Sequence, residues 1–97
     1  MNRTELVEQL ARRGGLPARD VLALVEMLFG SSRGEEGVIA EALDRGEKVT
    51  ISGFGTFAVR TRAAREVRDP RSGRPVAVPA GRVPVFRPGV ALRDSVR

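Results

Sequence analysis

Apolar positions recur at helical spacing in the first half of the chain and at alternating spacing in the second. Asn2, three residues before Glu5, makes a capping pair ahead of Leu6, Val7, Leu10 and Ala11, which share one helical face until Gly14-Gly15 stops the helix. Pro17 suits the first turn of a second helix, with Asp20 near its positive end. Val21, Leu24, Val25, Leu28 and Phe29 then fall at i, i+3, i+4, i+7 and i+8, a stripe that must be buried on something. The stretch Gly30–Gly37 holds three glycines, each costing about 1 kcal/mol in a helix interior, and reads as a break. Val38, Ile39, Ala42 and Leu43 restore a helical face, and Gly46 stops it.

From Lys48 the period becomes two. Val49 and Ile51 alternate with Lys48, Thr50 and Ser52, Gly53-Phe54-Gly55 turns the chain, and Thr56-Phe57-Ala58-Val59 resumes an extended run. That strand continues through Arg60 to Arg68 with almost nothing large and apolar for a core, so it should project into solvent. Asp69-Pro70-Arg71-Ser72-Gly73 is a reverse-turn sequence, and Arg74 to Val78 is the returning strand. Prolines 75, 79 and 84 donate no ladder hydrogen bond, which makes this an edge. Pro88-Gly89 opens a short closing helix, Val90 to Val96. The pattern predicts an α+β fold in one domain, residues 1–97: a helical region 1–46 broken at 30–37, a β-sheet with a projecting ribbon arm at 47–87, and a C-terminal helix at 88–97. The two apolar helical faces exceed what one short domain can cover, so the helical region is expected to dimerise.

Composition narrows the function. No cysteine and no histidine are present, which removes disulfides, thiolate nucleophiles, Cys/His metal sites and the usual general base; no enzyme activity, cofactor, metal or small-molecule substrate is expected. No apolar run has the roughly 18 residues of a membrane span, and no apolar signal core follows the N-terminus, so a cytoplasmic protein without membrane contact is expected. Residues 1–59 carry seven Lys/Arg and nine Asp/Glu, residues 60–97 ten Arg and three acids: net −2 against +7. A near-neutral scaffold with a basic surface points to nucleic acid.

Arginines 60, 62, 65, 68, 71 and 74 straddle the Asp69-Pro70 turn, so a two-stranded ribbon collects them on one arm able to neutralise phosphates. The plainer reading is a solvated arginine-rich strand. Pro70 also has two readings: a turn residue that presets φ, or an apolar wedge pushed between base pairs from the minor groove. The four phenylalanines sit in apolar patterns and are read as core rather than as stacking platforms.

Met1-Asn2-Arg3-Thr4-Glu5-Leu6, Gly46-Glu47-Lys48-Val49, Gly53-Phe54-Gly55-Thr56-Phe57, Arg60-Thr61-Arg62-Ala63-Ala64-Arg65, Asp69-Pro70 and Val83-Pro84-Val85-Phe86-Arg87-Pro88-Gly89 occur in this order along nearly the whole chain. Together they resemble the bacterial histone-like HU and integration host factor family. The resemblance implies an intertwined dimer, helices below and a saddle of strands above, whose two ribbon arms reach around the minor groove of double-stranded DNA and bend or compact it within the nucleoid. The dimer it implies is a homodimer, with a heterodimer with a paralogue as the alternative. Pro70 then becomes the intercalating tip, Arg60, Arg62, Arg65 and Arg68 line the arm, and Arg3 and Arg87 match basic positions of the body. Arg71, Arg74, Arg82 and Arg93 complete the basic set. Gly53 and Gly55 would allow close approach of phosphate, or serve only a tight strand connection.

Glu66, Val67, Asp69, Ser72 and Val90 depart from the family pattern of a basic residue, glycine, asparagine, threonine and lysine. They lower the charge near DNA, so weaker or more selective binding is expected. The glycine-rich break interrupts a helix that is usually continuous. Two rival readings are a basic ribosomal or other RNA-binding protein and a structural protein whose arm grips an acidic protein. Against the first, the chain has no Tyr or Trp to stack single-stranded bases.

Overall fold

In a computed structural model that describes residues 1–97, the chain divides into two compact units, Met1–Arg45 and Gly46–Arg97. The dividing line falls at the glycine that follows the third helix. Gly46 has φ +81°, a left-handed conformation that costs a glycine nothing and other residues about 1–2 kcal/mol.

The first unit is three helices: α1 (Arg3–Gly14), α2 (Ala18–Phe29) and α3 (Val38–Asp44). Asn2 is extended, and its Oδ1 accepts the Glu5 amide at 2.9 Å, satisfying one of the unpaired donors at the start of α1. At the other end Gly15, φ 65°, donates to the Ala11 carbonyl. Pro17 stands at the N-cap of α2, one position earlier than first-turn placement, and its carbonyl accepts the amides of Asp20 and Val21. Val7, Val21 and Val25 are buried together with Ala11 packed on them, and Ile39 and Ala42 of α3 are buried as well.

Only part of the α2 stripe is covered. Leu24, Leu28 and Phe29 remain 56%, 41% and 50% exposed, and Val38 on α3 is exposed too. Between α2 and α3 the glycine-rich break is a closed loop. Ser31 donates its amide to the Glu35 carbonyl at 2.9 Å and accepts the amides of Arg33 and Glu35 on its hydroxyl. Gly30 and Gly37 pass each other backbone to backbone where the loop closes: a Cβ on Gly37 would run into the Gly30 nitrogen and lie 2.6 Å from the Leu28 carbonyl oxygen.

The second unit is β1 (Val49–Ile51), β2 (Gly55–Arg62), β3 (Arg65–Arg68), β4 (Pro75–Val78), β5 (Gly81–Pro88) and α4 (Val90–Ser95). β1, β2 and β5 form an antiparallel sheet in that order, and β3 and β4 form a separate two-stranded ribbon. Central β2 pairs with β5 from Gly55 opposite Pro88 to Arg62 opposite Gly81. The ribbon keeps the same register, Arg65 opposite Val78 and Arg68 opposite Pro75. The strand expected to run unbroken to Arg68 is therefore interrupted at Ala63-Ala64 without slipping. Extending the register sets Ala63 and Ala64 against Ala80 and Pro79, and neither pair belongs to a ladder.

The phenylalanines are not a core in the single chain. Phe29, Phe54 and Phe86 are 50%, 45% and 39% exposed, and Phe57 is half-buried. Phe86 instead meets Phe54 and Phe57 at ring-centroid distances of 5.4 and 4.8 Å, tilted pairs that share apolar area without an overlying layer. Ala58 is the buried hydrophobic of this unit. Gly89 caps α4 and donates to the Phe54 carbonyl at 2.7 Å, tying the helix to the β1–β2 turn.

Candidate nucleic-acid interface

The ribbon tip is built by hydrogen bonds that the turn sequence encodes. Asp69 Oδ1 accepts the Arg71 amide at 2.8 Å, the Asp69 amide donates to the Arg74 carbonyl at 2.9 Å, and the Gly73 amide donates to the Asp69 carbonyl at 2.8 Å. Gly73, φ 71°, makes the left-handed step that returns the chain, and the Ser72 hydroxyl accepts the Arg74 amide. Arg68 Nη1 donates to the Gly73 carbonyl at 3.0 Å across the base of the turn. These bonds close the turn from both sides, and Pro70 is left exposed at the apex.

Arginines surround that apex. Arg65, Arg68, Arg71 and Arg74 lie on the ribbon and its turn, and Arg60 and Arg62 lie on the adjoining part of β2. No hydrogen bond or ion pair within the chain engages the guanidinium of Arg60, Arg62, Arg65, Arg71, Arg74 or Arg87. The arginines outnumber Glu66 and Asp69, the two acids of the ribbon and its turn, and an external polyanion complements that excess of positive charge. Strand alternation divides them. Arg60 and Arg62 share a sheet face with Arg87, while Arg82, opposite Thr61, is on the other face.

Other predicted positions fall elsewhere. Arg93 is in the last turn of α4. Arg3 belongs to the helical unit and donates through Nη1 to the Gly30 carbonyl, linking the start of α1 to the glycine-closed loop. Gly53 is an exposed turn glycine, φ +82°. Gly55 is buried, and a Cβ there would lie 2.5 Å from the Arg87 carbonyl oxygen and 2.6 Å from the Phe86 ring. The space in front of this glycine is filled from within the chain, so a side chain has no room there.

The sequence pattern gave no role to Val76 and Val78 and marked Val67 only as a departure. Val67 stands directly opposite Val76 on the ribbon, both exposed. The signal for them was the period-two spacing of Arg65 and Val67 and of Val76 and Val78.

The sequence profile described as bacterial DNA-binding protein matches residues 1–97. The chain belongs to this bacterial DNA-binding protein family. It is 44% identical over 97 residues to DNA-binding protein HU of Geobacillus stearothermophilus, covering 100% of both chains. Over the same span it is 39% identical to DNA-binding protein HU of Staphylococcus aureus, again covering both completely. Among solved structures of the family it resembles an Anabaena HU–DNA cocrystal structure with TM-score 0.82 at 35% identity, covering 99% of this chain and 97% of that one. HU from Thermotoga maritima superposes with TM-score 0.68 at 31% identity, both chains fully covered. No helix of this family member is long and apolar enough to cross a membrane.

Proposed function

We propose that this chain is an architectural DNA-binding protein of the nucleoid. Acting as a homodimer, it grips duplex DNA from the minor groove with its arginine-lined ribbons and holds it bent, with Pro70 as the wedge. One observation carries the reading: an exposed proline at the apex of a hydrogen-bonded turn, on a ribbon whose Arg65, Arg71 and Arg74 guanidiniums have no partner within the chain. An apolar tip between base steps costs unstacking, and the bend it creates lets more basic surface meet phosphate. The DNA held by the Anabaena HU relative supports the same use of this fold. The dimer rests on Leu24, Leu28 and Phe29, which need an apolar partner surface that the single chain does not provide.

The test is a salt-titrated binding series on straight and pre-bent duplexes. With about 6–10 phosphate contacts per dimer the log–log slope lies near −5 to −9, and the pre-bent duplex binds tighter because its deformation is already in place. Equal affinity for both duplexes refutes bending. A folded monomer that persists at high micromolar concentration in sedimentation refutes the dimer.

A further inference from the structure

The hydrogen bonds of the ribbon tip divide by what they fix. The backbone bonds from the Asp69 amide to the Arg74 carbonyl and from the Gly73 amide to the Asp69 carbonyl close the base of the turn. The Arg71 amide on Asp69 Oδ1 and the Arg74 amide on the Ser72 hydroxyl shape it from within. The 3.0 Å bond from Arg68 Nη1 to the Gly73 carbonyl is of another kind, because a strand side chain reaches past the base to the returning limb of the turn. Of the four arginines on the ribbon and its turn, Arg68 alone has its guanidinium engaged within the chain; those of Arg65, Arg71 and Arg74 are not.

A planar guanidinium on a carbonyl restrains direction as well as distance. A turn closed only at its base can still tilt against the strands that carry it, and that freedom is lost on binding at a cost in affinity. An apex that enters between base steps needs one orientation, so a bond from strand to limb lowers the ordering cost of insertion. We propose that Arg68 is a positioning residue: its bond to the Gly73 carbonyl braces the turn against the ribbon and sets the direction in which Pro70 is presented. The inference rests on the reading of Pro70 as the wedge.

The experiment removes the brace and keeps the charge. Arg68→Lys retains the positive charge but exchanges the planar donor fork for a flexible, strongly hydrated ammonium. In the free protein the amide order parameters of Arg71 and Gly73, measured by nitrogen relaxation, fall from about 0.85 to below about 0.6. Straight-duplex affinity weakens about twofold with a salt slope near that of the native chain, whereas the preference for a nicked over an intact duplex shrinks about fivefold. The bend angle at saturation, a reading from which affinity has been removed, falls as well. A role through charge alone leaves the order parameters and the saturated bend as in the native chain, and that result overturns the proposal. Pro70→Ala, measured in parallel, separates the two possible failures. If it lowers the bend and Arg68→Lys does not, the brace is wrong and the wedge stands. If neither lowers it, Pro70 is not a wedge and the proposal falls with that reading.

Discussion

The helical unit, residues 1–45, carries six Arg and eight Asp/Glu and buries five hydrophobic side chains; the strand unit, residues 46–97, carries eleven Lys/Arg and four acids and buries one. One is organised by close packing, the other by backbone ladders that hold unpaired charge away from any core. Stability and binding are thus assigned to different kinds of residue in different places. A substitution that crowds the first should unfold it with little electrostatic signature, and one that removes charge from the second should change binding while leaving the fold intact.

The largest effect is expected at Gly37. It has φ −96°, an ordinary angle, so the objection to a side chain is purely steric: its Cβ would meet the backbone of Gly30 and Leu28. Backbone has no rotamer to move, and Gly37→Ala should cost about 3 kcal/mol, read as a lower urea midpoint. Gly34 in the same loop has φ +90° with open space around its Cβ position, so Gly34→Ala should cost only about 1–2 kcal/mol of conformational strain. Equal costs would mean that the loop is not closed by its two end glycines.

Arg65→Ala tests the other unit. It removes a guanidinium with no partner inside the chain, so the stability read from urea unfolding should stay within about 0.5 kcal/mol of native. Affinity for duplex DNA at low salt should fall about three- to tenfold, and the salt slope should flatten by about 0.9 for each phosphate that is no longer neutralised. Reduced stability at unchanged affinity would move Arg65 into the structural class and blur the contrast between the units.

These two expectations also mark how much the sequence disclosed. Helix ends were legible because caps are local: Asn2, Gly15 and Gly46 each act within a few residues of themselves. The ribbon turn was legible for the same reason, since Asp69 bonds the amide two residues on. What escaped depends on residues distant in sequence. The break at Ala63-Ala64 interrupts a run that alternation alone reads as continuous, and it shows only once the pairing of both strands is known. Phe54, Phe57 and Phe86 lie in apolar patterns, but a pattern shows which positions are apolar and not whether another layer covers them. The same limit applies to Leu24 and Phe29, where periodicity identified the stripe but not the part α1 would leave exposed. Of the candidate site, the arginine ribbon, its proline apex and the tight surroundings of Gly55 were readable, whereas the Gly30 carbonyl bonded by Arg3 was not.

Within the strand unit the contrast between charge and shape can be sharpened at Pro70. The turn is held by the bond from the Arg71 amide to Asp69 and by two backbone bonds between Asp69 and residues 73 and 74, none of which uses the proline ring. Pro70→Ala should therefore preserve the arm and its phosphate contacts, changing straight-duplex affinity by less than about twofold. The bend angle, measured by energy transfer across an end-labelled duplex, should fall, and the preference for nicked DNA should shrink with it. A variant that bends DNA as sharply as native at saturation removes the wedge role and leaves the proline as a turn residue.

The smallest effect is expected at Asp69, where the two kinds of role meet in one side chain. Its Oδ1 accepts the Arg71 amide at 2.8 Å, a local bond that shapes the turn, while its charge stands one residue from the apex proposed to enter the groove. Asparagine separates the two, because its side-chain carbonyl can accept the same amide while carrying no charge. Asp69→Asn should leave the turn and the urea midpoint unchanged. Removing a like charge beside the phosphates should tighten binding about twofold at low ionic strength, and the gain should fade as the Debye length drops below about 10 Å near 0.1 M salt. The gain is modest because Arg68 and Arg71 flank the carboxylate in sequence and offset part of its field. Asp69→Ala, which removes both bond and charge, is the informative companion: if it binds like the asparagine variant, the turn bond does not position the tip. If neither variant differs from native at low salt, the apex does not come within a Debye length of phosphate, and the arm engages DNA only through the arginines nearer the sheet.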